Sequence, residues 1–93
     1  MQYDKNEAAR EFAGDLDGVY RAAEEAAVAL GFLVKEEPDE DPSRRSFAGD
    51  DIRVDVESFA GGTVEVRVRI GTFDTDDHER RAELFLEETA KRL

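Results

Sequence analysis

The residues of this chain best placed to do chemistry fall in one short run, Asp74-Thr75-Asp76-Asp77-His78-Glu79, which contains the single histidine. Carboxylates this close together suit a hard cation, and an imidazole among them suits zinc. A calcium loop, however, needs a central glycine and a closing bidentate glutamate, and the run has neither. One histidine rules out a paired-histidine metal site, and the absence of cysteine removes thiolate ligands, thiol nucleophiles and disulfides. The same run is well suited to starting a helix. Thr75 or Asp76 can cap it, Asp76 and Glu79 have capping-box spacing, and early acids complement the helix dipole. Capping is therefore the expectation, with no metal and no cofactor. The alternative is a small-molecule or metal site at the sheet–helix edge near Phe73 and His78.

Elsewhere the chemistry is thinner. Carboxylate pairs abound, but they lie on polar faces or in turns, where nothing shifts a pKa toward acid–base work. No catalytic residue is expected, and the chain does not read as an enzyme. Gly61-Gly62 is followed by neither a helix nor a lysine, so it is not a phosphate loop. Arg44-Arg45 beside the acidic "PDEDPS" reads as a solvated strand start rather than an anion site. Tyr20 falls on an apolar stripe and is expected in the core. Arg53, Arg67 and Arg69 would form a basic strip, expected to pair with Asp55, Glu57 and Glu65.

The elements that must position these residues follow from hydrophobic period. Leu16, Val19, Tyr20, Ala23, Ala27 and Leu30 recur at helical spacing, with Asp15 or Asp17 to cap the start and Gly31 to end the helix. Its alanines allow a close approach to a sheet. "FLVKEE" (32–37) reads as a short strand with Phe32 and Val34 inward. "PDEDPS" (38–43) is a turn, and "RRSFAG" (44–49) is a weak strand carrying Phe47. In 51–58 and 63–70 the even-numbered residues are apolar and the odd ones polar, which marks antiparallel strands covered on one side. Parity restricts their hairpin: inward residues are even in both strands, so paired numbers must sum to an even number. A two-residue loop at 60–61 violates this. A three-residue loop or a bulge satisfies it, and Gly61-Gly62 supplies the backbone freedom.

A last helix carries Ala82, Phe85, Leu86, Thr89 and Leu93 on its inner face, leaving Leu84 off the stripe. Residues 7–14 alternate with Ala8, Arg10 and Phe12 on one side, which permits an edge strand or equally a helical turn; the strand is favoured because Gly14 and the new cap at Asp15 or Asp17 set it off from the helix.

Composition bounds the partners. The chain has 93 residues and a formal net charge of −11. One domain, 1–93, is expected. Such a charge repels phosphate backbones and anionic lipid, so nucleic acid is not an expected partner. No apolar run is long enough to cross a bilayer, and "MQYDKNEAAR" is too polar for a signal peptide. Acid excess with arginine preferred to lysine fits either a high-salt setting or a GC-rich genome.

"LDGVYRAAEEAAVALGF" (16–32) and "VEVRVRIGTFDTDDHERRAELFLEETAKRL" (64–93) together resemble a family of short bacterial cell-envelope lipoproteins of unknown function. The shared pattern is a helix closing on Leu-Gly-aromatic, a meander, a strand of Arg-Val-Gly-x-Phe type, and a helix with Ser-Arg-Arg. Here Asp74-Thr75-Asp76 replaces the family's Gly-Asp-Glu, Glu79 replaces the serine before Arg80-Arg81, and the lipid-accepting cysteine has no counterpart. The resemblance implies a periplasmic or envelope-anchored setting and brings no known activity.

The expected architecture is α+β, a two-layer sandwich in which an antiparallel sheet of four to five strands packs two helices on one face. The expected function is a non-catalytic cell-envelope accessory or protein-interaction module. Its partner would be another protein, or a second copy meeting it through the sheet and burying Arg53, Arg67 and Arg69.

Overall fold

The computed structural model describes residues 2–4, 7–71 and 76–93, with side chains described for 7–71 and 79–93. Strands β1 (Gln2–Asp4) and β2 (Glu7–Ala13) precede helix α1 (Leu16–Ala29). Strands β3 (Val34–Glu37), β4 (Arg44–Gly49), β5 (Ile52–Phe59) and β6 (Thr63–Ile70) follow, and helix α2 (Asp76–Lys91) comes last. All strand pairs are antiparallel, in the order β1-β2-β6-β5-β4-β3. Strands β2 to β6 match the upper end of the expected four to five strands, and three-residue β1 pairs with β2 as a sixth, so that β2 is not the edge strand expected of residues 7–14. Both helices pack on one face, giving a two-layer α+β sandwich.

The register of the central hairpin obeys the parity argument. Val56 lies opposite Val66, Val54 opposite Val68 and Ile52 opposite Ile70. Phe59 meets Thr63, which leaves a loop of Ala60, Gly61 and Gly62. Both glycines take positive φ, 92° and 81°, a region that side chains with a Cβ avoid. Even-numbered residues of β5 and β6 therefore face the helices, and their valines are fully buried. Each such side chain contributes about 1.5–3 kcal/mol on leaving water, against a few tenths for a surface ion pair. The hydrophobic pattern sets this sheet, and the charges decorate it.

Helix α1 begins where Asp15 accepts a hydrogen bond from the Gly18 amide at 3.2 Å. Its end is a Schellman motif, in which Phe32 N–H reaches the Ala27 carbonyl at 2.9 Å and Gly31 N–H reaches that of Val28 at 3.0 Å. Ala22, Ala23, Ala26 and Ala27 are buried, and these small side chains let α1 pack on α2 as well as on the sheet. Two leucines depart from expectation. Leu30, placed on the apolar stripe by spacing, is the C-cap residue and is 41% exposed, because the chain has already turned away. Leu93 lies beyond the end of α2 and is also exposed. Leu84 is exposed, as its position off the stripe requires.

Strand β2 closes the sheet on the β6 side, with Phe12 opposite Val64 and Ala8 opposite Val68. Ala8 and Phe12 are buried, whereas Arg10, on the same face, stays exposed with its guanidinium over the Phe12 ring at 5.1 Å. Phe47 brings β4 into the core and meets Tyr20 edge-on, with ring centroids 5.6 Å apart. Thr89 is buried within α2 and donates back to the Phe85 carbonyl at 2.9 Å.

Candidate functional site

The side chains of Phe73, Asp74, Thr75, Asp76, Asp77 and His78 lie outside the described residues, and with them the expected capping box and its metal-site alternative. Among the described residues, no group of three or more histidine, aspartate or glutamate side chains is arranged to hold a metal ion.

The basic strip of the outer sheet face is internally compensated. Arg53 bonds to Glu37 and to Asp55, the latter at 3.3 Å. Arg67 bonds to Glu65 at 2.8 Å and approaches Glu7 at 3.7 Å, and Glu7 also comes within 3.9 Å of Arg69. Asp55 is Arg67's direct neighbour in register, yet it binds Arg53 and the buried Ser46 hydroxyl (2.7 Å) instead. The nearby Asp55 charge is the main reason Arg53's pKa is raised. This face presents paired charge rather than a bare cationic surface.

Arg44 and Arg45 separate from each other: Arg44 is an exposed strand start, whereas Arg45 is not freely solvated. Arg44 lies within 3.7 Å of Asp39 and 3.6 Å of Asp41 in the preceding turn. That turn is fastened by Asp41, which accepts from the Ser43 amide at 2.9 Å and its hydroxyl at 2.7 Å, and these bonds hold the Asp41 pKa below its usual value. Arg45 pairs in register with Val56 and so points toward the helices. Its guanidinium grips both Glu36 oxygens, each at 3.0 Å, bonds to Asp17 of α1 at 3.1 Å, and lies over the Tyr20 ring 3.9 Å from the centroid. The fork ties β3, β4 and α1 together. A pattern reading misses it because an arginine at an inward position of an edge-side strand looks like solvent exposure. Inward parity with Phe47 is the signal that finds it.

Tyr20 is 3% exposed, and its hydroxyl has no hydrogen-bond partner among the described residues. Burial pushes its pKa up to about 12, and the negative charges of Glu36 and Glu24 push the same way, while Arg45 opposes them. A phenol held neutral to that point is neither a nucleophile nor a general base at ordinary pH. Bonding to Glu36 holds the Arg45 pKa above its already high value, and its donors are committed to carboxylates. The cluster braces one corner of the sandwich and leaves no cation open to an anionic ligand.

Exposed apolar surface gathers instead beside the free edge of β3. Leu33 is 92% exposed and Val28, on the last turns of α1, is 62% exposed. Close backbone packing fixes this display. A Cβ on Gly49 would collide with the Leu33 carbonyl oxygen, so only glycine lets the backbone entering β3 lie this close to the end of β4. Phe32 and Val34 turn in against the core, and Leu33 between them turns out. Two shallow grooves meet along this line. One, about 390 Å³, is lined by Glu24, Glu25, Val28, Ala29, Val34 and Arg92. The other, about 440 Å³, is lined by Val28, Phe32, Leu33, Val34, Lys35, Ala48, Gly49 and Asp50. Val28 and Val34 belong to both grooves, which join them into one strip along β3. As the terminal strand of the sheet, β3 also keeps one row of backbone donors and acceptors unpaired by any strand among the described residues.

No protein-family model matches the chain, and no curated protein matches it. A functional reading therefore has to come from this edge and this brace alone.

Proposed function

We propose that this chain is a non-catalytic protein-interaction module that docks an extended polypeptide segment on the outer edge of β3. The observation that carries the reading is Leu33, an aliphatic side chain 92% exposed on a backbone packed close against Gly49, beside the terminal strand of the sheet. Single exposed leucines are ordinary, but this one adjoins exposed Val28 and two confluent grooves at a sheet edge. Strand addition uses such a combination: main-chain hydrogen bonds supply affinity, and adjacent pockets for alternate side chains supply selectivity. The Arg45 brace suits this role because it fixes β3 against α1 through Glu36 and Asp17. A rigid template loses less entropy when a partner binds. An accessory role in the cell envelope is the setting suggested by the motif resemblance over 16–32 and 64–93.

Selection from a displayed library of random extended peptides tests the reading, with the intact protein and a Val28→Lys/Leu33→Lys variant as parallel baits. Both replaced side chains are largely in solvent, so the variant should fold normally. The expected result is a set of peptides retained by the intact protein and lost by the variant. Equal enrichment on both baits would remove the β3 edge as the docking surface.

A further inference from the structure

We infer that the segment received by the β3 edge is cationic, an extended stretch in which aliphatic residues alternate with lysine or arginine. The inference rests on the docking reading above and adds the chemical class of the partner.

Charge complementarity carries it. The apolar strip formed by Val28, Leu33 and Val34 is bordered by acids along its length: Glu24 and Glu25 on the helix side, and Asp50 beyond the start of β3. Glu24, Glu25 and Asp50 form no ion pair among the described residues, in contrast to Glu36, Glu37, Asp39 and Asp41, which are paired with arginines. The two grooves also contain Arg92, bonded to Glu88 at 3.0 Å, and Lys35, which forms no ion pair among the described residues and offsets one of the three acids. The balance at the rim is negative, and the field of the whole chain, at −11, adds to it.

Strand geometry then fixes the alternation. A strand added to β3 sends successive side chains to opposite faces of the sheet. Aliphatic residues on the outer face would cover Leu33. The residues between them point to the helix side, where a long cationic side chain can lay its methylene stem on Val28 and Val34 and keep its charge in water beside Glu24 and Glu25. A second copy of this chain is the less suitable occupant. It would bring another net −11 and set the same uncompensated acids against one another.

The test is NMR titration of the full chain with a short synthetic peptide alternating valine and lysine, N-methylated at alternate residues so that it cannot pair with itself. A valine–glutamate peptide of the same length and a valine–threonine peptide serve as comparisons. The expected result is saturable binding of the lysine peptide alone, with amide shifts concentrated on β3 and neighbouring residues 28–34. A Glu24→Gln/Glu25→Gln/Asp50→Asn variant should weaken this binding roughly five- to tenfold by removing three surface charge partners. Added salt should weaken it in the intact protein. Val28→Lys/Leu33→Lys should abolish it.

Binding of the glutamate or threonine peptide as tightly as the lysine peptide would overturn the cationic partner and leave edge docking standing. Shifts scattered over the acidic surface and unchanged in Val28→Lys/Leu33→Lys would reduce the effect to bulk attraction and overturn the inference. No binding by any of the three peptides would overturn it too, and the library selection would then decide separately whether the edge docks anything. Concentration-dependent shifts on β3 without peptide would make a second copy the occupant, again overturning the cationic segment.

Discussion

The guanidinium carbon of Arg45 sits 3.9 Å from the centroid of the Tyr20 ring, yet the tyrosine hydroxyl has no hydrogen-bond partner among the described residues. The two residues thus contribute unequally. The ring face is well used, and the hydroxyl is a cost. Tyr20→Phe keeps the stacking surface and removes a buried, unsatisfied oxygen, so the variant should be as stable as the parent or up to about 1 kcal/mol more stable at neutral pH. Urea unfolding of the two proteins measures this. A loss of more than about 1 kcal/mol would mean that the hydroxyl is satisfied in solution.

The same hydroxyl makes stability depend on alkaline pH. The folded protein holds the Tyr20 proton to about pH 12, while an ordinary tyrosine releases it near 10.0. The stabilisation is therefore fully present below pH 10 and is lost as pH rises through 12, with a ceiling of about 2–3 kcal/mol for a shift of this size. Unfolding free energies followed across that window should fall more steeply for the parent than for Tyr20→Phe. Parallel curves would show that the group titrates normally.

Arg45→Ala should cost about 1–2 kcal/mol, because it removes a forked carboxylate contact, a stacked aromatic face and packed methylenes together. Arg45→Lys should recover little of this, since an ammonium cannot grip both Glu36 oxygens while lying over a ring. Thermal melts of the three proteins rank them. Full rescue by lysine would reduce the brace to a simple charge effect.

The two faces of the sheet should respond very differently to truncation. Val66 is fully buried, and Val66→Ala should cost about 2–3 kcal/mol as a cavity. Arg67 is paired at the surface, and Arg67→Ala should cost less than about 0.5 kcal/mol. Comparable losses in chemical denaturation would indicate that the outer face is also covered in solution, as a dimer through the sheet would require.

Salt should stabilise the fold. Twenty-four acids face thirteen basic residues, so screening relieves more repulsion than it weakens attraction. The melting temperature is expected to rise markedly from dilute buffer to molar NaCl. A flat response would leave base composition, rather than salt adaptation, as the reason for the acidity.

The parts of the fold legible in the sequence are those where one repeating pattern spans a whole element. Val54, Val56, Val64, Val66 and Val68 alternate without a break, and parity alone selects the three-residue loop between them. The α1 stripe is as clear through Ala27 and fails at Leu30, where the helix ends and its angular rule with it. The candidate edge was not legible for a related reason. Leu33 lies at the terminal strand, with its backbone close against Gly49, and neither the strand order nor that contact between segments is recorded in a local pattern. Arg45 was missed because burial of an arginine depends on three partners, Asp17, Tyr20 and Glu36, drawn from two other elements.

The pairing of β2 with β6 also governs the order in which the chain can be assembled. Phe12 finds Val64 across the sheet, so a strand made early during translation waits for one made late. Strands β3 to β5 can zip together as neighbours while they leave the ribosome, but β2, which can pair early only with short β1, lacks its other neighbour until residues 63–70 are free. Phe12, Val19 and Tyr20 must pass that interval without their final cover. Long-range closure of this kind slows folding and prolongs the exposure of sticky intermediates.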